Sequence, residues 1–234
     1  MTITQLYRLS GLGILIGASA FIAHLVLRSL ITAGVDPATF AQQGQWVPIN
    51  ALGVLGAALV LLGLPILYAK LAAPTGWLGL LGIVLIALAW MFLGLFLSLY
   101  SVLVAPWLAD QAPALAAAPL PAGIISVYIA ALVAELIGSV LLGIPFLRGR
   151  VQPRWVGYML PGAAVVTVIG TLLAPSGPAA NLALNLFSNL GPVLLMAVFV
   201  WLGYQLWAEE APAKHVSNAK DRRTSRLPTT DAAP

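Results

Sequence analysis

The chain contains no cysteine, which excludes disulfide bonds, thiolate metal sites, iron–sulfur clusters and a cysteine nucleophile. Charge is also scarce: 8% of the 234 residues are Asp, Glu, Lys or Arg, whereas soluble domains carry about 25%. Because 61% of the residues are hydrophobic, too few polar side chains remain to cover a water-facing surface. We therefore predict an integral membrane protein.

The sequence also lacks the short motifs that identify common enzymes and cofactor sites. It contains no H-E-x-x-H metal motif, no G-x-S-x-G nucleophile elbow and no phosphate-binding P-loop. The run GLGILIG at residues 11–17 follows no strand and has the wrong spacing for a dinucleotide site. We therefore predict no cofactor, no metal site and no catalytic residue.

Six apolar runs are long enough to cross a bilayer, which takes about 20 helical residues. They cover residues 9–31, 49–70, 77–104, 123–147, 155–174 and 182–207. The predicted fold class is therefore an all-α polytopic membrane helix bundle with six transmembrane helices. Residues 1–210 would form this domain, and the polar, aperiodic residues 211–234 would form a disordered basic cytoplasmic tail.

The basic residues predict how these spans are oriented. Ten of the eleven Lys and Arg residues precede span one, end span two, join spans four and five, or follow span six. They are Arg8, Lys70, Arg148, Arg150, Arg154, Lys214, Lys220, Arg222, Arg223 and Arg226. With six spans these positions share one side, so the positive-inside rule predicts an inner (plasma) membrane protein with both termini in the cytoplasm. This grouping also explains the basic composition without a nucleic-acid partner.

Two helix ends carry similar sequences. GLPILYAKLAAPTGWLG (residues 63–79) and GIPFLRGRVQPRWVG (residues 143–157) share Gly, Pro, a basic residue, Pro, Trp and Gly in order. This predicts parallel repeated hairpins from spans 2–3 and 4–5, with Pro65 matching Pro145 and Trp77 matching Trp155. The alternative is that Gly-Pro helix ends and interfacial tryptophans arose separately as good ways to end a helix at a membrane surface.

Span one carries a histidine and an arginine inside an apolar run. At 100° per residue, Gly13, Gly17, Ala20, His24 and Arg28 fall within about 80° of one another. Small residues on a membrane helix mark the side where another helix packs closely. We therefore expect His24 and Arg28 to face the inside of the bundle, although Arg28 alone could reach the membrane surface with its long side chain.

Span four supplies the acidic residue at comparable depth. Glu135 is its only charge, and Tyr128 lies on the same helix face. Side chains of antiparallel spans tilt toward each other, so a His24–Glu135 contact is plausible. Because a buried charge needs compensation, we expect Glu135 to be the counter-charge of Arg28, with a hydroxyl or water between the two groups.

Span six contributes a stripe of amides, since Asn181, Asn185 and Asn189 recur at i, i+4 and i+8. Each of these can instead serve only as an interhelical hydrogen-bonding group. The predicted polar pocket lies in the outer half of the membrane. Its candidate binding residues are His24, Arg28, Tyr128, Glu135, Asn185 and Asn189.

Three segments resemble uncharacterised bacterial six-span integral membrane proteins classed as domains of unknown function. They are RLSGLGILIGASAF (8–21), GLPILYAKL (63–71) and QPRWVGYML (152–160). The resemblance implies the six-span architecture and a bacterial membrane, and it implies no activity.

Three functions stay open at this point. The favoured hypothesis is non-enzymatic binding, transport or sensing, with the lipid bilayer and a small or lipid-like ligand as partners. A structural subunit of a membrane complex is the first alternative. The second is an intramembrane enzyme that uses Glu135 and His24 as acid and base on a lipid-derived substrate.

Overall fold

The computed structural model describes residues 3–35, 37–116, 118, 120–151, 153–173 and 181–208. Within these ranges every regular element is helical, which confirms the predicted all-α class. The predicted tail at residues 211–234 lies outside the described residues, so its disorder stays a prediction.

In the described part of the chain, five helical stretches are long and apolar enough to cross a membrane. The long helices are α1 (Ile3–Thr32), α2 (Trp46–Trp90), α3 (Ala122–Leu147), α4 (Trp155–Leu173) and α5 (Leu182–Ala208). Many outward-facing side chains are apolar and exposed, for example Leu62 at 75% and Leu172 at 79%. An apolar outer surface on long helices indicates a multi-pass membrane protein, as predicted.

Helical backbone continues beyond α2 for another 21 residues, so the whole stretch Trp46–Gln111 is 66 residues long. The continuation contains two π-helical segments, Met91–Phe96 and Tyr100–Val104, and ends in the α-helical turns Ala105–Gln111. A 3₁₀ segment, Pro37–Gln42, precedes α2, and a single turn, Pro113–Ala116, follows this stretch.

The 66-residue stretch reverses direction at Gly76. Gly76 has φ 58° and ψ −149°, a backbone conformation that glycine adopts without steric cost. The indole Nε1 of Trp46 lies 2.7 Å from the carbonyl oxygen of Ser101, although a straight helix would separate these residues by about 80 Å. The chain therefore forms two antiparallel arms, α2a (residues 46–75) and α2b (residues 77–111), joined at the turn that the sequence AAPTG predicts.

The two arms and the other four helices pack as a closed ring in the order α1, α2a, α2b, α3, α4, α5. Neighbours approach where one helix lacks a side chain, so backbone meets backbone or a short side chain. The close pairs are Gly17 with Gly56, Ala57 with Gly94, Gly82 with Gly138, Gly143 with Gly157, Thr167 with Gly191, and Gly203 with Gly11. Gly17 thus confirms the predicted packing face of α1.

The ring has two different ends. At the closed end, where α1 begins and α3 and α5 end, the interior is filled by fully buried apolar side chains. They include Ile14, Leu142, Phe146, Leu160 and Phe199, all 0% exposed. At the cavity end, where α1 ends and α3 and α5 begin, the ring surrounds an open space.

Candidate functional site

The space at the cavity end has a volume of about 540 Å³. This is within the usual range for small-molecule sites, about 300–1,000 Å³. All six residues predicted as a polar pocket line this one cavity: His24, Arg28, Tyr128, Glu135, Asn185 and Asn189. The structure therefore brings the predicted set together, whereas their role in binding stays a prediction.

His24 is fixed by α2a. Its imidazole is 1% exposed, and Nδ1 lies 2.9 Å from the carbonyl oxygen of Ile49. A carbonyl only accepts hydrogen bonds, so Nδ1 must carry the hydrogen. The ring also fills the space beside Gly53, where an added Cβ would lie 2.8 Å from the imidazole Cδ2.

Arg28 lies one turn further along α1, beside Trp46. Its guanidinium carbon is 5.3 Å from the centre of the Trp46 ring, which is the geometry of a cation–π contact. The side chain is half-buried and lines the cavity, so it faces the interior of the bundle as expected.

Glu135 contacts Thr167 and not His24. It is 2% exposed, and its Oε1 accepts a long hydrogen bond of 3.4 Å from the hydroxyl of Thr167. That hydroxyl also donates to the carbonyl of Ala163 at 3.0 Å, so its single hydrogen is shared.

The expected His24–Glu135 contact is therefore wrong, since no hydrogen bond or ion pair joins the two residues in the described structure. No direct bond joins Arg28 to Glu135 there either, and an interaction through water or a hydroxyl stays a prediction. The reason is the order of the ring. Helices α1 and α3 occupy opposite positions, so the cavity separates their polar faces. Helix tilt predicts the depth of these side chains but not their position around the ring.

The asparagines of α5 form a hydrogen-bonded ladder with α1. The Nδ2 of Asn189 donates to the Ser29 hydroxyl at 3.0 Å, and the Nδ2 of Asn185 donates to the Thr32 hydroxyl at 3.2 Å. These two residues therefore do serve as interhelical hydrogen-bonding groups, and they also line the cavity. Asn181 has a different role, because its Oδ1 accepts from the backbone N–H of Leu184 at 2.9 Å and caps α5.

On the opposite wall, hydroxyls connect α3 to α4. The phenol of Tyr128 lies 3.4 Å from the Thr171 hydroxyl, one turn above the Thr167–Glu135 contact. Neither threonine belongs to the predicted site, although both line the cavity. Their spacing of four residues, which puts both on one helix face, is the signal that could have added them.

Trp46 is the most important lining residue that the sequence did not indicate. The Ala105 N–H donates to the carbonyl of Tyr100, five residues earlier, which is the π-helical spacing. At the same spacing the carbonyl of Ser101 would need the N–H of residue 106, which is a proline. Proline has no N–H, which leaves this carbonyl without a helical partner. The Trp46 indole donates to this carbonyl at 2.7 Å. Pro106, five residues after Ser101, is the feature of the sequence that indicates a carbonyl without a helical partner.

The cavity wall is least continuous between α2b and α3. These helices approach closely at Gly82 and Gly138, but the described part of α2b beyond Phe96 makes hardly any close backbone contact with α3. Every α3 residue from 122 to 130 except Ile124 and Tyr128 is exposed. Ile124 and Tyr128 face the cavity, and Tyr128 contacts Thr171 of α4.

No family model, curated protein or solved structure matches the chain. The resemblance to six-span bacterial membrane proteins stays a prediction.

Proposed function

We propose that this protein is a six-span inner-membrane protein that binds a small amphipathic ligand in its cavity. The observation that carries the proposal is the mixed lining of a single cavity of about 540 Å³. Arg28 and the amide and hydroxyl groups of α1 and α5 supply a polar side. The apolar side is formed by Phe21, Leu25, Leu93, Phe96, Leu97, Ile124 and Leu132.

An amphipathic ligand fits both halves of this lining. A purely apolar ligand would leave the Arg28 guanidinium without a hydrogen-bonding partner, which is costly in a membrane interior. A small ion would leave the apolar wall and most of the volume unused. A ligand with a polar head and an apolar part satisfies both sides at once.

The six-span topology is part of the proposal. Each arm of α2 exceeds the roughly 20 residues that cross a bilayer, and the turn at Gly76 separates them. With both arms spanning, the basic segments share the closed end, and the positive-inside rule assigns that end and both termini to the cytoplasm. The cavity would then open in the outer half of the membrane. The repeated hairpins stay a prediction, with Trp77 and Trp155 each beginning a helix at this end.

Single cysteines test this topology directly, because the chain has none of its own. Ala41→Cys and Leu115→Cys lie near the cavity end, and Ser217→Cys lies in the basic tail. A membrane-impermeant maleimide applied to intact cells should label the first two positions and leave Ser217→Cys unlabelled until the cells are opened. Labelling of Ser217→Cys from outside would contradict the topology.

Binding is favoured over catalysis by the placement of the two candidate acid–base groups. His24 is held on the Ile49 carbonyl and Glu135 on Thr167, from helices on opposite sides of the ring. The alternative, a structural role only, is supported by the hydrogen bonds of Asn185 and Asn189 that hold α1 to α5. These hydrogen bonds explain why the two amides are there, but they explain neither Arg28 nor the cavity.

Tryptophan fluorescence can test the cavity itself, since Trp46 and Trp90 line it. The background variant keeps these two and changes the other five tryptophans to Phe: Trp77, Trp107, Trp155, Trp201 and Trp207. In nanodiscs of zwitterionic lipid, ω-bromoundecanol should quench the remaining fluorescence in a saturable manner.

A matched pair of substitutions locates the binding. Ala105→Phe fills part of the cavity and should abolish saturation, whereas Ala130→Phe on the exposed face of α3 should preserve it. Quenching that rises linearly and equally in both variants would exclude a ligand in the cavity and leave the structural role.

A further inference from the structure

We infer that the ligand is an anionic amphiphile whose carboxylate or phosphate group binds Arg28 and whose apolar chain lies toward the gap between α2b and α3. The inference rests on the proposed function and adds the charge and orientation of the ligand.

Arg28 is the cationic group that the cavity leaves available. Among the described residues, no carboxylate lies within ion-pair distance of its guanidinium, which contacts the face of Trp46 instead. A ring face attracts a cation but accepts none of its five N–H hydrogen bonds. An arginine within a membrane segment is normally paired, and a planar guanidinium fits a carboxylate or phosphate in a two-pronged arrangement.

Most other donors around Arg28 are already engaged. Asn189 donates both to Ser29 and to the Asn185 carbonyl, and the Ser29 and Thr32 hydroxyls donate to carbonyls of their own helix. The Trp46 indole is bound to Ser101 and the Nδ1 of His24 to Ile49. The Trp90 indole N–H, which also lines the cavity, has no partner among the described residues, but its nitrogen is fully buried. A ligand acceptor entering this side of the cavity therefore meets Arg28 as the charged donor that the described residues leave without a hydrogen-bonding partner.

The acidic group of the cavity does not offer an equivalent site for a cationic ligand. Glu135 is 2% exposed and is covered by Thr167, whereas Arg28 is half-buried and faces the open volume. A cationic head group would also have to share the cavity with Arg28. The accessible charge of the lining is therefore positive.

The apolar chain of such a ligand has a defined direction. Phe96, Leu97, Ala105 and Ile124 line the cavity on the side of α2b and α3. This is where the two helices cease to pack closely. An acyl chain directed from Arg28 across the cavity reaches this apolar side and the surrounding lipid, so the ligand can enter from the bilayer without its chain crossing water.

The test compares four probes that share one brominated chain: ω-bromoundecanoate, ω-bromoundecyl phosphate, ω-bromoundecanol and ω-bromoundecyltrimethylammonium. Each is titrated into the Trp46/Trp90 background variant in zwitterionic nanodiscs, at a pH where both acids are ionised. We expect at least one acid to bind tenfold or more tightly than the alcohol, and the ammonium probe to bind most weakly. The relative affinities of the carboxylate and phosphate probes show which of the two anionic head groups the site prefers.

Three substitutions assign the preference to Arg28. Arg28→Gln should remove the advantage of the acids over the alcohol. Arg28→Lys keeps the positive charge and should retain part of the advantage. This result would show that the loss in Arg28→Gln comes from the missing charge and not from misfolding. Arg150→Gln removes an exposed cation far from the cavity and should change nothing.

The possible failures are distinguishable. Saturable binding of the alcohol with no preference for acids, or a preference that survives Arg28→Gln, would overturn this inference and leave the proposed function intact. Absence of saturable binding for all four probes would overturn both.

Discussion

The two ends of the helix ring use their small and polar residues in opposite ways. At the closed end, Gly203 and Gly11 bring α5 against α1, and Gly143 and Gly157 bring α3 against α4. At the cavity end, hydroxyl and amide groups connect the same pairs of helices: Asn189 to Ser29, and Tyr128 to Thr171. The same neighbours are thus held by backbone contact at one end and by side-chain hydrogen bonds at the other.

The difference follows from what each contact does to the space inside the ring. Glycine lets helix backbones approach, so little room remains between them and Leu, Ile and Phe fill it. Longer polar side chains keep the helices apart and leave a cavity between them. We therefore expect the closed end to determine stability and the cavity end to determine binding.

The largest effect is expected from a side chain added at the closed end. A Cβ on Gly203 would lie 2.7 Å from the Leu15 backbone nitrogen and 2.8 Å from the Gly11 carbonyl oxygen, neither of which can move alone. Gly203→Val should reduce the free energy of unfolding by about 3 kcal/mol or more, at the upper end of overpacking costs. Gly162→Val, with no atom within 4 Å of its Cβ, is the matched control. Unfolding by sodium dodecyl sulfate measures both, and equal stability of the two variants would show that α5 and α1 are not in backbone contact at Gly203.

A smaller effect is expected where a glycine supports the cavity. Gly53→Ala places a methyl group 2.8–2.9 Å from the His24 ring and should push the imidazole off the Ile49 carbonyl. We expect a loss of about 2 kcal/mol, most of it recovered when His24→Ala is added. Gly123→Ala, in open space, should be neutral. If His24→Ala does not rescue the variant, the imidazole does not occupy the space beside Gly53.

The smallest effect concerns the two charged residues of the cavity. Arg28→Leu loses the contact with Trp46, and Glu135→Gln changes the group beside Thr167, but the two residues share no described partner. A double-mutant cycle on the free energy of unfolding should therefore give a coupling below about 0.5 kcal/mol. A coupling of several kcal/mol would show that these groups pair in the membrane and that the cavity has no accessible cation.

Much of this molecule was predictable from local pattern. Helix periodicity puts Gly17, His24 and Arg28 on one face, and the cost of polar groups in lipid directs that face inward. The same reasoning places Glu135 and Tyr128 inward on α3, and all of these polar residues line the cavity. The turn at Gly76 was also predictable, because Pro-Thr-Gly is poorly compatible with a continuous helix.

The order of the helices around the ring was decided by tertiary structure. Lipid surrounds every helix equally, so hydropathy does not indicate which helices are neighbours; that depends on which small residues of distant segments fit together, as Gly203 and Gly11 do. This order places α1 opposite α3, and it places His24 beside Ile49 and Arg28 beside Trp46. Inward orientation follows from the sequence because it depends on one helix and its solvent, whereas the identity of each partner depends on the packing of all six helical segments.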